Sequence, residues 1–452
     1  MYYLEVINMK LFAIIFGKLA IFAGKLLKRG SSLPGEIALK IDKNLLYKIK
    51  LPEIKIAVTG SSGKGSTSSV IAHVYKSMGY KVVHNASGAN LTAGITTTIL
   101  ENCSLTGKLK ADIFVFEMDE RYAKFAFPAI KPSHIIVTNI TRDQPPRQGH
   151  VDLVYEEIKK ALPKGAHLIL NGDDPYLMKF NLKNEYETTY YSLGQTRESY
   201  ETSKFKNLNM CYCPKCGAKL KYEYYHFENI GKFNCEKCDF KHRDTDYVIT
   251  NVDYPNSQMT VSGDHKIKLQ YDLLYSVYNT MAAYTTCCLL GLEPEEVAKH
   301  ISLLNGNSKM YNHYKYNDSE VYVLNNKNEN STTFNQSLLF AERFKGTKTI
   351  VIGWKEISRR YNFDDLSWLY DIDFEILKTD DVKRLVCAGP NAYDIATRLI
   401  FAGFKNEDIF IFNNLTEAKE AVDMIKTDYI FGILNFDYVE PFKNTFKEKE
   451  EA

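Results

Sequence analysis

The sequence predicts an α/β protein with two doubly wound domains, and three observations lead to this prediction. Strand patterns alternate with helical patterns twice along the chain, first from residue 53 and again from about residue 320. A glycine-rich segment joins the first strand to the first helix of the earlier series, and a cluster of cysteines interrupts that series. The 452 residues are 45% hydrophobic and 25% charged, which suits several globular domains and excludes a largely disordered chain.

Residues 1–52 are predicted to form an N-terminal helical segment. Its stretch 11–27, LFAIIFGKLAIFAGKLL, is interrupted by Lys18 and Lys25, so we do not expect it to span a bilayer. No cleavage site follows, which argues against a signal peptide. Two interpretations stay open: a helix packed on the body of the protein, or contact with a membrane surface or lipid-linked substrate. We therefore expect a cytoplasmic protein, with the inner face of the membrane as the alternative location.

The central domain is predicted over residues 53–305. Its strand candidates are 54–59, 113–117, 134–139 and 167–170, and its helical candidates are 66–78, 152–162 and the stretch around 276–290. Strands that alternate with helices in this way are typical of a parallel sheet.

The phosphate-binding candidate is TGSSGKGSTS (59–68), which lies between a predicted strand and a predicted helix. Glycines allow a backbone to close around phosphate oxygens, and a helix N-terminus adds amide donors and a favourable dipole. Lys64 would bring a point charge to the outer phosphates, and a hydroxyl of Ser66 or Thr67 could bind Mg²⁺. We assign nucleotide binding to Gly60, Ser61, Ser62, Gly63, Lys64, Gly65, Ser66 and Thr67.

Four cysteines form two C-x₂-C pairs with 18 residues between them, inside a predicted insertion over residues 205–245. These are Cys213, Cys216, Cys235 and Cys238. Their spacing predicts a zinc ribbon, and because four thiolates close the coordination sphere the zinc would be structural. A redox pair or a disulfide is the competing interpretation, but clustered cysteines in an otherwise cysteine-poor chain favour metal and a reducing compartment.

The C-terminal domain is predicted over residues 306–452 as a Rossmann-like, doubly wound domain. Its strand candidates are 321–325, 348–353, 383–388, 408–412 and 428–434, with helices at 390–403 and 415–426. Lys+Arg 57 against Asp+Glu 55 gives a net charge of +2, which offers no support for a nucleic-acid partner.

The phosphate loop has the short spacing G-x-x-G-K-G-S, and this form resembles the Mur ligase superfamily, with Gly65 in the style of folylpolyglutamate synthetases. The resemblance implies a Mg²⁺-binding and catalytic role for Glu117, at the end of a strand, beside the catalytic Lys64. It also implies nucleotide contacts for Asn171 and Asp174 of the NGDDP segment, and we add Asn139. Physically, a carboxylate at the carboxyl edge of a parallel sheet is well placed to meet a metal held at the loop.

Five segments together resemble the MurT-type subunits of lipid II isoglutaminyl synthase. They are PGEIALKID (34–42), GANLTAGITT (88–97), TNITRDQ (138–144), the cysteine insertion and DDLSWLYDIDFE (364–375). The resemblance implies ATP-dependent amidation of a D-glutamate carboxylate in a lipid-linked muropeptide, with Mg²⁺ and with a GatD-type glutaminase as partner. It further implies that Asp365 completes the partner's Cys–His pair, with Asp371 as the second candidate.

Two alternatives stay open at this point. One is a Mur-type peptide ligase that adds an amino acid to a murein or pseudomurein precursor. The other is a nucleotide-binding scaffold subunit without catalytic activity. ATP and a carboxylate-bearing cell-wall precursor are the expected substrates under either ligase interpretation.

Overall fold

The computed structural model describes residues 2–26, 32–142, 150–243, 245, 247–304, 311–326, 330–355 and 365–447. Contacts divide the chain into two compact units. The first unit contains Met1–Ile140, Asp152–Glu201 and Met210–Asn305, and the second contains Thr141–Val151, Thr202–Asn209 and Gly306–Ala452. The N-terminal helices therefore share a unit with the first sheet, and Thr202–Asn209, which overlaps the start of the expected insertion at residues 205–209, belongs to the second unit.

The first unit is built on a nine-stranded sheet with the strand order β11-β10-β9-β6-β5-β4-β1-β3-β2. Its strands are β1 (Ile54–Thr59), β2 (Val82–His84), β3 (Ile113–Glu117), β4 (His134–Val137), β5 (His167–Asn171), β6 (Thr188–Leu193), β9 (Tyr247–Asp253), β10 (Gln258–Val261) and β11 (His265–Lys268). The pairs from β2 across to β9 are parallel, and β9, β10 and β11 form antiparallel pairs. A separate antiparallel ribbon consists of β7 (Lys221–Phe227) and β8 (Ile230–Asn234).

Helices of the first unit connect and cover these strands. They are α1 (Tyr2–Leu26), α2 (Leu33–Ile41), α3 (Leu45–Lys48), α4 (Lys64–Ser77), α5 (Thr92–Asn102), α6 (Ala123–Ile130), α7 (Val151–Ala161), α8 (Pro175–Met178), α9 (Leu274–Leu289) and α10 (Pro294–Ser302). The main core lies where Ile71 and Val74 of α4 and Val277 and Met281 of α9 pack with the strands. Burial of such side chains contributes about 1.5–3 kcal/mol each, so this interface holds the phosphate loop at the N-terminus of α4 in place.

Strand β1 marks the point where the strand order reverses, since β3 and β2 follow on one side and β4 and β5 on the other. Ligands of open parallel sheets bind at the carboxyl ends of the strands at such a point. The register aligns Val58 with Glu117 and Thr59 with Val137. The ends of β1, β3 and β4 therefore converge on the phosphate loop.

The second unit is a six-stranded sheet with the order β12-β13-β17-β14-β15-β16, in which only the β12–β13 pair is antiparallel. Its strands are β12 (Tyr311–Tyr316), β13 (Ser319–Asn326), β14 (Lys348–Gly353), β15 (Val382–Ala388), β16 (Ile409–Phe412) and β17 (Tyr429–Asn435). Its helices are α11 (Ser331–Arg343), α12 (Ala392–Phe401), α13 (Leu415–Asp423) and α14 (Phe436–Thr445). Val351 and Val386 of the sheet pack with Ala418 and Val422 of α13 and with Phe442 of α14.

Helix α1 lies on α2 and α5 through a narrow face made by Ala13, Ile14, Gly17 and Ile21. A Cβ atom at Gly17 would lie 2.6 Å from a methyl carbon of Leu100 and 3.3 Å from the Cβ of Ala38, so a larger residue here would require the Leu100 side chain to shift. Among the helices of the described chain, none is long and apolar enough to cross a membrane.

Candidate functional site

The phosphate loop begins where β1 ends and continues into α4. Gly60 and Gly63 adopt positive φ angles of 123° and 80°, which L side chains rarely adopt. The Thr67 amide donates to the Gly63 carbonyl oxygen at 3.0 Å and so closes the first turn of α4. The backbone amides of the loop are thereby aligned with the helix N-terminus, the arrangement that favours anion binding.

Residues Thr138 and Asn139, directly after β4, hold the loop from one side. The Ser61 amide donates to the Asn139 carbonyl oxygen and the Ser62 amide to Asn139 Oδ1, both at 2.9 Å. The Ser62 carbonyl oxygen accepts from Thr138 Oγ1 at 2.6 Å and from Asn139 Nδ2 at 3.0 Å. We assigned Asn139 to nucleotide binding, and the structure gives its side chain a positioning role on the loop.

Gly63 and Gly65 let side chains from other elements approach the loop closely. A Cβ atom at Gly63 would lie 2.2 Å from Asn279 Oδ1 of α9, and a Cβ atom at Gly65 would lie 2.9 Å from Glu117 Oε2. The sequence pattern does not indicate that Asn279 lies beside the loop. Asn279 reaches Gly63 only because α9 packs on α4.

Glu117 occupies the last position of β3 and is held by two asparagines of the loop between β2 and α5. Asn90 Nδ2 donates to Glu117 Oε1 at 2.8 Å, while Asn85 exchanges two hydrogen bonds with the Glu117 backbone, each 2.9 Å long. The other carboxylate oxygen, Oε2, faces Gly65 of the loop. Asn90 lies in the segment 88–97, which contributes to the family resemblance, but the sequence pattern does not assign it to the site.

Lys64 is buried, and its ammonium group forms an ion pair with Glu120 at 3.1 Å. It also donates to the carbonyl oxygens of Gly60 and Ser61. Glu120 is itself only 1% exposed, and sequence reasoning had singled out Glu117 from the same FEMDE segment. Breaking a buried pair leaves an uncompensated charge, so Lys64 and Glu120 must be considered together.

The two hydroxyl candidates for Mg²⁺ occupy different environments. The Thr67 side chain is fully buried, whereas Ser66 is partly exposed and its hydroxyl interacts with the phenol of Tyr271. Ser66 Oγ and Glu117 Oε2 are hard oxygen donors beside the loop, which is the ligand type that Mg²⁺ prefers. Ser66 and Glu117 would fit a magnesium ion, which would neutralise negative charge on the phosphates of a bound nucleotide.

Asn171 and Asp174, which follow β5, are engaged within the protein. Asn171 Oδ1 accepts from the Asp173 amide at 3.0 Å, and Asp174 Oδ1 accepts from the Tyr176 amide at 2.8 Å as the N-cap of α8. Asn229 Nδ2 also donates to Asp174 Oδ1 at 3.3 Å. Their assignment to the adenine and ribose remains a prediction.

Burial raises the pKa of Asp174 from 3.8 to about 7. The folded state therefore retains a proton that the unfolded state has lost, so stability falls as pH rises from about 4 to 7, by roughly 4 kcal/mol. Asp174→Asn keeps an acceptor for the Tyr176 amide but does not titrate. We expect the wild type to lose stability relative to Asp174→Asn between pH 5 and pH 8, measured by urea unfolding.

The matched control for this prediction is Glu407→Gln, because Glu407 has a 73% exposed side chain. This variant should follow the wild type at each pH. An Asp174→Asn protein with the pH dependence of the wild type would contradict the prediction.

The four cysteines of the insertion come together as the sequence predicted. Their sulfur atoms all lie within 4.8 Å of one another, with Cys213 and Cys238 3.5 Å apart and Cys216 and Cys235 3.4 Å apart. A tetrahedral zinc with Zn–S bonds of about 2.3 Å places sulfur atoms roughly 3.8 Å apart. The cluster therefore has the size of a four-thiolate metal site.

The cysteine insertion, which we call the ribbon, contacts the end of β5 through Asp173. This carboxylate is fully buried, and the sequence pattern did not assign it to the site. His242 Nε2 lies 2.7 Å from Asp173 Oδ1, and the Gly231 amide donates to the Asp173 carbonyl oxygen at 2.9 Å. Tyr278 of α9 donates to Asp173 Oδ2 at 2.8 Å. One carboxylate thus joins the ribbon, the first sheet and α9.

In the second unit, Asp365 precedes the 3₁₀ helix Ser367–Asp371. Its Oδ1 accepts from the Ser367 amide at 2.9 Å, and among the described residues nothing donates to Oδ2. Asp371 is instead paired with Arg142, at 2.7 Å, and Arg142 also donates to Ser367 Oγ at 2.6 Å. Of the two aspartates considered from the sequence, only Asp371 has a basic side chain paired with its carboxylate among the described residues.

The remaining acidic residues of the same segment anchor the chain. Asp373 accepts from the amides of Lys206 and Asn207, at 3.2 and 3.3 Å, and Glu375 pairs with Arg398 at 3.0 Å. These bonds explain why residues 202–209 belong to the second unit.

Two protein families match this chain. The Mur ligase middle domain matches residues 58–236, which include the phosphate loop, Glu117 and three of the four clustered cysteines. The MurT ligase C-terminal domain matches residues 328–436, which include Asp365.

Curated relatives align over most of the chain. The lipid II isoglutaminyl synthase (glutamine-hydrolyzing) subunit MurT of Staphylococcus aureus (strain COL) is 30% identical over 394 residues, 86% of this chain and 87% of that protein. The subunit of the same name from Streptococcus pneumoniae is 29% identical over 416 residues, 91% of each chain.

Solved structures share the fold. A pseudomurein peptide ligase type C from Methanothermus fervidus superposes with a TM-score of 0.66 at 19% identity, covering 89% of this chain and 80% of that one. MurF from Acinetobacter baumannii gives a TM-score of 0.64 at 15% identity, covering 91% and 80%. Together with the sequence relatives and the phosphate loop, these findings show that the chain belongs to the MurT family of Mur-type, ATP-dependent ligases of cell-wall biosynthesis.

Proposed function

We propose that this chain is the ligase subunit that amidates a glutamate carboxylate of a lipid-linked cell-wall precursor, with ammonia supplied by a glutaminase partner. The single observation that carries the proposal is the MurT-type C-terminal domain over residues 328–436, in the same chain as an intact phosphate loop. The lipid-linked substrate and the hydrolysis of glutamine are proposed from the relatives, which are subunits of a glutamine-hydrolysing lipid II isoglutaminyl synthase.

The proposed chemistry has two steps. A carboxylate oxygen attacks the γ-phosphorus of ATP, and the bond to the β-phosphate oxygen breaks to release ADP. Ammonia then attacks the carbonyl carbon of the acyl phosphate, and inorganic phosphate leaves with the bonding electrons as the amide forms. Phosphorylation is needed because a carboxylate has no good leaving group.

Side chains around the loop fit the first of these steps. The Lys64 ammonium lies at the loop, where it neutralises charge on the transferred phosphoryl group, and loop amides bind the phosphates. Mg²⁺ would be held by Ser66 and Glu117 and would supply further charge neutralisation. Asn90 and Asn139 position Glu117 and the loop through the hydrogen bonds described above.

For the cysteine cluster we propose a structural zinc ion. Four thiolates leave no open coordination position, and the cluster packs in a small core with Met178, Leu220, Phe233 and Phe240 rather than against the phosphate loop. The ion would hold the ribbon together and take no part in the reaction.

For Asp365 we propose the third position of a catalytic triad whose cysteine and histidine belong to the glutaminase. One carboxylate oxygen caps the 3₁₀ helix and the other is available to orient an imidazole. Asp371 is the matched comparison, because its carboxylate is already paired with Arg142.

The test uses the full chain in complex with its glutaminase, with ATP and a glutamate-containing lipid-linked precursor. Asn at position 365 keeps the oxygen that accepts from Ser367, so partner binding should persist. We expect Asp365→Asn to lower glutamine-dependent amidation by about 10³–10⁴-fold, as an Asp-to-Asn change does in a serine-protease triad. Amidation with free ammonia should be retained, because ammonia bypasses the glutaminase.

Asp371→Asn is the control and should retain glutamine use. Unchanged glutamine-dependent amidation in Asp365→Asn would remove the triad assignment. ATP turnover that requires a particular amino acid, with no response to glutamine or ammonia, would instead support the peptide-ligase alternative.

A further inference from the structure

The outward face of α1 carries a row of large apolar side chains. Each of them is between 45% and 71% exposed, although the same helix buries another face against the protein. The row consists of Met9, Phe12, Phe16, Leu19, Phe22 and Leu26.

The spacing of this row is helical. Successive members are three or four residues apart, so at 3.6 residues per turn they lie along one side of α1. From Met9 to Leu26 the row is about 26 Å long at 1.5 Å per residue. A continuous apolar strip of this length on a solvent-facing helix marks an interaction surface.

Packing on the protein does not use this row. Helix α1 contacts α2 and α5 through Ala13, Ile14, Gly17 and Ile21, which lie on the other side of the helix. The helix is therefore apolar on two sides, and the body of the unit covers only one of them.

Charge on α1 indicates what covers the other side. Residues 9–26 contain Lys10, Lys18 and Lys25 and no acidic residue. Lys18 donates to the Leu100 carbonyl oxygen at 2.6 Å, and Lys25 pairs with Glu101 at 3.4 Å while its side chain stays 71% exposed. Lys18 and Lys25 thus lie beside the buried face and outside the apolar row.

We propose that α1 lies in the surface of an anionic lipid bilayer, with the apolar row among the acyl chains and the lysines at the level of the headgroups. A wide apolar face with basic residues beside it is the combination that interfacial helices use on anionic lipid. A second copy of the chain fits less well, since pairing two 9–26 segments would bring six lysines together and neither segment contains an acidic residue. The inference stands apart from the amidation reaction, although it would bring the site close to a lipid-linked substrate.

Vesicle flotation with the full-length protein tests the proposal. We expect the wild type to float with vesicles of phosphatidylcholine and phosphatidylglycerol, and to float less with phosphatidylcholine alone or at high salt. Phe12→Ser combined with Phe16→Ser should lower the partition coefficient by about tenfold or more, because apolar burial in the bilayer is lost. Its melting temperature should match that of the wild type, since both side chains already face solvent.

Leu153→Ser is the matched control, because Leu153 is a similarly exposed apolar residue on α7. It should bind vesicles as the wild type does. Absence of flotation with anionic vesicles overturns the proposal, as does undiminished binding by the double variant. A lipid-free dimer that the double variant abolishes, with no vesicle binding, would assign the face to a second copy. Vesicle binding without amidation would leave this inference intact and count against the proposed function alone.

Discussion

Replacing Lys64 with alanine is expected to lower ATP turnover by about 10³-fold or more. The ammonium group lies at the phosphate loop, where we propose that it neutralises charge on the transferred phosphoryl group, and loss of a single group of this kind costs about this much in other enzymes. The measurement is ADP release by the full complex with its precursor. A well-folded Lys64→Ala protein with a normal rate would contradict the assignment of the phosphate loop.

The same substitution is also expected to destabilise the fold, because the buried Glu120 carboxylate loses its ion pair with Lys64. Loss of one member of a buried pair costs about 3–5 kcal/mol. The double variant Lys64→Met with Glu120→Gln removes both charges and should recover most of the melting temperature without recovering turnover. This pair of variants separates the catalytic charge from the structural ion pair.

Zinc removal is expected to have the largest effect on stability. Structural zinc contributes about 10–16 kcal/mol of apparent binding free energy in small zinc-binding peptides. The apolar cluster of the ribbon is small, so the metal has to supply most of its stability. Purified protein should contain about one Zn²⁺ per chain, and Cys235→Ser should contain none.

Loss of zinc should loosen the ribbon while the phosphate loop keeps its nucleotide, since the core around α4 and α9 is separate from the ribbon core. Limited proteolysis should cut Cys235→Ser within residues 205–245, and ATP binding should survive. Cys211→Ser is the control, because Cys211 is not one of the four clustered sulfurs. Metal-free protein from a preparation without chelators, still folded in the ribbon, would refute the zinc assignment.

Sequence patterns predicted the parallel strands well where apolar runs lay between turn signals. The expected strand 348–353 is β14, and the expected strand 54–59 is β1. The antiparallel strands β9 to β11 and helix α5 were not predicted. Helix α5 contains several threonines, which have weak helix propensity, and it forms because its side chains are buried.

The orientation of α1 shows a second limit. From the sequence, two interpretations of this helix stayed open: packing on the body of the protein, or contact with a membrane surface or lipid-linked substrate. In the structure the packing face is narrow and built on Gly17, whereas most large apolar residues point outward. Since α1 is apolar almost all round, periodicity alone could not decide which side meets the body.

The sequence by itself determined the features whose parts lie close together along the chain. The phosphate loop and the two C-x₂-C pairs belong to this group, because a few neighbouring residues supply both the turn geometry and the ligands. Tertiary structure alone decided the ion pair of Lys64 with Glu120, the contact of Asn279 with Gly63, and the ion pair of Arg142 with Asp371. These partners are between 56 and 229 residues apart, and only the strand order and helix packing bring them into contact.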